Sequence, residues 1–141
     1  MTSTVIRYVA AEVHVDAPPE AAFALITDWP RHREWMFMTD AWQVAPGKIA
    51  AYTGLRPFGF LDPMTITRFE PPHVVEVRHT GTLVRGLGAV RVTPRGDGCR
   101  VIWAERLEVP RWALPGWPLA HAVSVLLARR SLRRLGALLR Q

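Results

Sequence analysis

The chain has 141 residues and a formal net charge of +6, with a single lysine among its 18 basic residues. A domain of this size buries roughly 70% of its unfolded surface, so it can hold a core without metal or disulfide staples. The lone Cys99 excludes an internal disulfide and suits a reducing compartment.

The first twenty residues carry charges throughout and lack the apolar run of a signal peptide. Within them Val9, Ala11, Val13 and Val15 alternate with Ala10, Glu12, His14 and Asp16, the period-2 pattern of a half-buried strand over 5–15. Pro18-Pro19-Glu20 then opens a helix over 19–27. Proline is tolerated in a first helical turn, and Glu20 suits the positive end of the dipole. This helix places Ala22, Phe23 and Ile26 on one face. Asp28-Trp29-Pro30 breaks it, and 32–36 can form a second short helix. From residue 40 the pattern turns to strands, predicted at 41–44, 49–55, 64–69, 74–80, 84–93 and 100–109, with 56–63 as a loop. Pro46-Gly47, Pro71-Pro72 and Arg95-Gly96-Asp97-Gly98 mark turns between them. Residues 110–118 read as a loop, and 119–140 as one long helix.

That last helix carries Val125, Ala128, Leu132, Leu135 and Leu139 on one stripe at helical spacing, with Arg129, Arg133 and Arg140 on another side. Its first half is apolar nearly all round and is expected to be covered on more than one side. The apolar stretch 114–128 is broken by Pro115, Pro118 and His121 and is shorter than the roughly 20 residues that span a bilayer. The expectation is one soluble, cytoplasmic domain over 1–141 of the α+β class, with a long helix lying across an antiparallel sheet.

No catalytic signature for phosphate binding, nucleophilic hydrolysis or metal ligation is present, and no metal or cofactor is expected. The glycines of Arg85-Gly86-Leu87-Gly88 read as a bend or bulge in a strand. Strand alternation turns Val101, Trp103, Glu105 and Leu107 to one face, and Val75, Val77 and His79 likewise. Glu105 among apolar neighbours is a candidate for acid/base work or for anchoring a ligand hydroxyl, or it pairs with an arginine. His79 is a second titratable candidate, or a core histidine bonded to a backbone carbonyl. The hairpin registers place the two at different levels of the sheet, which argues against a dyad. Arg68 shares the predicted face of Met64 and Ile66 and is a candidate partner for Glu105 or a ligand carboxylate. Trp103, Met64, Phe58, Phe60 and Phe37 are candidate ligand contacts, with Phe58 and Phe60 on an apolar loop expected to close over a cavity or pack on a partner. Arg129, Arg130, Arg133 and Arg134 suit either the dipole at a helix C-terminus or contact with anionic lipid. No aromatic-studded basic face points to nucleic acid.

The segment running from Val15-Asp16-Ala17-Pro18-Pro19-Glu20-Ala21-Ala22-Phe23 through Thr27-Asp28-Trp29 to Trp35 resembles the START-like, or SRPBCC, superfamily, in its polyketide cyclase/dehydrase and lipid-transport branch. The order of strands and the long final helix extend the resemblance over essentially the whole chain. It implies a helix-grip fold, with a curved antiparallel sheet around the C-terminal helix and two short helices closing one end. It also implies a cavity for a small hydrophobic ligand such as a lipid, polyketide or quinone. Some members of the superfamily carry or sequester ligands and others catalyse cyclisation. For this chain the resemblance leaves binding, catalysis through Glu105 or His79, and a ligand-free interaction module open.

Overall fold

The computed structural model describes residues 3–140. Its elements are β1 (Thr4–Val15), α1 (Pro19–Ile26), a 3-10 turn (Trp29–Arg31), α2 (His32–Trp35), β2 (Thr39–Ala45), β3 (Lys48–Thr53), β4 (Phe60–Glu70), β5 (Val74–Thr80), β6 (Arg85–Arg95), β7 (Gly98–Pro110), a second 3-10 turn (Arg111–Gly116) and α3 (Trp117–Leu139). The strands form one antiparallel sheet of order β1-β7-β6-β5-β4-β3-β2. The N-terminal strand is therefore an edge strand paired with the last one, the chain passes through α1 and α2 to β2 at the other edge, and α3 returns over the concave face.

The core lies where α1, α2 and the second half of α3 meet the sheet. Ala22, Phe23 and Ile26 of α1 and Ala128, Leu132 and Leu135 of α3 pack with Val15, Val75, Val92, Cys99 and Val101. Pro18 takes an extended conformation before α1, and no side chain caps the helix, so burial of its apolar face is what holds it. The backbone N–H of Phe37 donates to Ser131 Oγ at 3.0 Å, tying the end of α2 to α3. Within α2, His32 is buried, donates from Nε2 to the Ile26 carbonyl at 2.6 Å, and sits edge-on between Trp29 and Trp35. Burial pulls its pKa below the ordinary histidine value.

Three local expectations change. First, β4 begins at Phe60 rather than Met64, so Asp62 lies in a strand and not in a loop. Second, a register shift between Ile66 and Arg68 turns Arg68 to the face of its partner Glu76, and there it pairs with Glu70 at the surface. Third, the first half of α3 is not covered on several sides. Ala128, Ser131, Leu132 and Leu135 are buried, but Leu119, Val123 and Leu126 on the opposite face are exposed.

Candidate functional site

The inner face of the sheet carries one cluster of ionisable groups. His79 on β5 is 6% exposed. Its Nδ1 lies 2.9 and 3.1 Å from the two carboxylate oxygens of Asp62 on β4. Its Nε2 lies 2.9 Å from Oε2 of Glu105 on β7. Trp103 Nε1–H donates to the other Glu105 oxygen at 3.0 Å. Burial alone would lower the His79 pKa, but the hydrogen bonds and charges of Asp62 and Glu105 outweigh it and push the value up to about 10. At neutral pH the ring is an imidazolium that donates both N–H groups, one to each carboxylate.

The register explains how three strands reach one point. His79 stands opposite Met64 on one side and Gly86 on the other. Asp62 is two residues from Met64, hence on the same face and one step along. Glu105 stands opposite Gly88, which stands opposite Val77. His79 and Glu105 are thus one same-face step apart with β6 between them, as the separation of levels requires. They meet because β6 presents a glycine, Gly88, beside the Glu105 carboxylate. A Cβ on Gly88 would lie 2.7 Å from Glu105 Oε2 and 3.0 Å from its Cδ. Gly86, at φ +135°, brings β6 so close that a Cβ there would lie 2.1 Å from the Arg106 carbonyl oxygen. No register shift occurs along β6, so these glycines are not a bulge. Gly88 clears the space in which the buried charge network forms, and Gly86 allows the close approach of β6 to the β7 backbone.

Two adjoining cavities, of about 120 and 240 Å³, open on this cluster. Asp62, His79, Trp103, Glu105, Thr39 and Thr53 line both. The smaller one runs under α2 among Trp35, Met36, Met64 and Val90. The larger runs beneath α3, among Phe37, Phe60, Leu107, Leu127 and Ala128. The walls are otherwise mostly apolar, the usual composition of a small-molecule site. Thr39 Oγ1–H donates to the Phe37 carbonyl at 2.9 Å, which leaves Thr53 Oγ1–H to donate to Thr39 at 3.1 Å.

The structure therefore brings Glu105, His79, Trp103, Met64, Phe60 and Phe37 to the cavities. Phe58 is 91% exposed and does not close over them, because the 55–59 loop turns outward while Arg56 stacks on Tyr52. Arg68 is outside for the reason of register given above. Glu105 pairs with His79 and Trp103 and not with an arginine, and His79 bonds carboxylates and not a backbone carbonyl. Asp62 is the member that sequence reasoning missed. Extending the alternation of Met64 and Ile66 upstream by one step would have placed it on the same face.

A curved antiparallel sheet gripping a long C-terminal helix, with short helices at one end and a cavity between, defines the helix-grip class. The chain belongs to the family described as polyketide cyclase / dehydrase and lipid transport, whose model matches residues 7–140. Among solved structures it is similar to a conserved protein from Geobacillus kaustophilus (TM-score 0.77, 12% identity, covering 95% of each chain). It is also similar to a protein from Thermus thermophilus (TM-score 0.75, 17% identity, 93% of this chain and 95% of that one). The di-domain ARO/CYC StfQ from the steffimycin biosynthetic pathway matches with TM-score 0.75 at 12% identity, over 94% of this chain and 50% of that one. No curated protein matches in sequence.

Proposed function

We propose that the protein binds a small apolar molecule in the space between the sheet and α3, with the Asp62–His79–Glu105 network as its polar anchor. The observation that carries this reading is the convergence of three buried ionisable groups on an apolar-walled cavity. Burying such a trio costs several kcal/mol per ion before pairing, and well-packed apolar residues would serve a purely structural centre at least as well. A buried histidine perturbed as His79 is belongs to the kind of group that gathers at functional sites. The same geometry weighs against His79 as a proton shuttle in a cyclase or dehydrase reaction. Both its nitrogens are already engaged, and with a pKa near 10 it releases a proton poorly at neutral pH.

Native mass spectrometry of the purified protein, followed by solvent extraction, tests the binding reading. A stoichiometric apolar compound is the expected result. An empty protein that also gains no thermal stability from lipids, quinones or aromatic polyketide mimics overturns it. Saturation at a hundred times Kd stabilises a protein by about 2.7 kcal/mol, so true binding produces a visible rise in Tm.

The exposed side of α3 supports a second reading, contact with an anionic bilayer. Leu119, Val123 and Leu126 recur at helical spacing on the face opposite the buried one, and the same line continues through Arg130 and Arg133. Trp112, just before the helix, is 79% exposed. No Asp or Glu follows Glu108 in the sequence, so α3 itself carries no acidic residue, and Glu34 of α2 is the carboxylate beside its arginines. Arg130 stacks on Phe37 and Arg134 donates to the Glu34 carbonyl, while Arg129 and Arg133 form no ion pair among the described residues. No helix among them is long and apolar enough to cross a membrane, and contact would be peripheral. Co-sedimentation is expected with vesicles containing phosphatidylglycerol, to be lost in high salt and in an Arg129→Glu/Arg133→Glu variant. Equal recovery with purely zwitterionic vesicles, or none with either, refutes this contact.

A further inference from the structure

The arginines of α3 are not spread evenly round the helix. Arg133 and Arg134 follow Arg130 at i+3 and i+4, so the three side chains share one face. Together with Glu34, Met36 and Phe37 at the end of α2 they line an open depression of about 420 Å³. The depression is separate from the polar network, because Asp62, His79 and Glu105 do not line it. Like charges at these spacings repel one another. The helix dipole does not offset the repulsion, because its effect is confined to the last turn, and Arg134 already stands more than a turn before Leu139.

Two of the three guanidinium groups are held in place by partners that bring no negative charge. Arg134 Nε–H donates to the Glu34 carbonyl at 3.2 Å, and the Arg130 guanidinium lies 5.1 Å from the centre of the Phe37 ring. Glu34 is the one carboxylate among the lining residues, and its two oxygens accept from Arg31 at 2.7 and 2.8 Å. The next carboxylate along the chain, Asp40, pairs with Arg33 at 3.3 Å. Arg130, Arg133 and Arg134 form no ion pair among the described residues. All three are exposed, so an incoming anion meets them without displacing a protein carboxylate.

We propose that this depression binds a phosphate monoester. The dianion brings a charge of about −1.5 to −2 and three strong acceptor oxygens, which suit three guanidinium forks on one face. A carboxylate brings one charge and two oxygens and uses the arginines less fully. Met36 and Phe37 give the organic part of the ester an apolar wall beside the charges. The phosphate belongs either to a soluble compound or to a lipid headgroup, and the recognition chemistry is the same for both. The site shares Arg133 with the bilayer contact described above but does not rest on it, nor on what the inner cavity binds.

Calorimetry at pH 7.5 with phenyl phosphate, and with benzoate as a carboxylate on the same ring, tests the site. One phenyl phosphate per chain is expected, bound at least tenfold more tightly than benzoate. Arg130→Gln/Arg133→Gln is expected to weaken phenyl phosphate at least tenfold. Arg78→Gln/Arg91→Gln removes the same charge from exposed positions on β5 and β6 and should change its affinity less than twofold. Vesicles then separate the two sources. Sedimentation that is stronger with phosphatidic acid than with phosphatidylglycerol at equal surface charge, and is lost in the Arg130/Arg133 variant, assigns the site to a headgroup. Phenyl phosphate binding without that preference assigns it to a soluble monoester. No saturable binding of phenyl phosphate, equal affinity for benzoate, or an equal loss in both variants overturns the proposal, whatever the inner cavity binds.

Discussion

Replacing His79 with leucine is expected to lower the unfolding free energy at pH 7 by about 3–5 kcal/mol. The loss comes less from the missing contacts than from what remains, two buried carboxylates facing one another with no cation between them. On a total stability of about 5–15 kcal/mol this is a large share. The triple variant Asp62→Asn/His79→Leu/Glu105→Gln removes the charges together and is expected to recover much of the loss. If the single and triple variants unfold alike in urea, the destabilisation is a packing effect and the network carries no electrostatic weight.

The same network gives the wild-type protein an alkaline limb. The His79 pKa is raised on folding, from an ordinary histidine value of 6.5 to about 10. Its contribution is therefore complete below about pH 6.5, erodes as pH rises, and is gone above about pH 10. At 1.36 kcal/mol per unit the upper bound on that contribution is about 5 kcal/mol. Denaturant curves at several pH values between 7 and 10 should show wild-type stability falling more steeply than that of the triple variant. Parallel curves would place the folded-state His79 pKa near its unfolded value.

The second large effect is expected from a single methyl group. Gly88→Ala puts a Cβ within 3 Å of the Glu105 carboxylate. Gly88 has no positive φ, so the substitution strains no backbone and acts through the displaced side chain alone. Overpacking of this kind costs about 1–3 kcal/mol. With Glu105 pushed from Nε2, His79 keeps Asp62 but loses one of its two partners. Its pKa, followed by the imidazole resonances in NMR titration, is expected to fall by one unit or more. An unchanged His79 titration in a destabilised Gly88→Ala protein would show that Glu105 relaxes without breaking the bond.

Much of the fold is legible in the sequence because it rests on periodicity. The alternation of Val9, Ala11, Val13 and Val15 and the stripe of Ala128, Leu132 and Leu135 mark buried faces, since a strand repeats every two residues and a helix every 3.6. The β5 bounds at Val74 and Thr80 follow from the same rule and from the turns that flank them. The inward orientation of His79, Glu105 and Trp103 was legible for that reason too. Periodicity fails where a strand is irregular. Arg68 follows a register shift and faces outward, although simple alternation places it inward with Met64 and Ile66.

What periodicity cannot convey is adjacency. The register of β5 against β6 and of β6 against β7 sets His79 and Glu105 one step apart, a separation that ordinary side chains on β6 would keep open. Gly88 closes it, and in sequence it looks only like a weak point in a strand. Asp62 joins from β4, 17 residues before His79 in the chain. In the regular strands β5 and β7 sequence alone determined which residues turn inward, because that is a local property of strand geometry. Only the tertiary structure decided that an acid, an imidazole and a second acid from three strands share one buried cluster, because a missing side chain on the strand between them is what lets them touch.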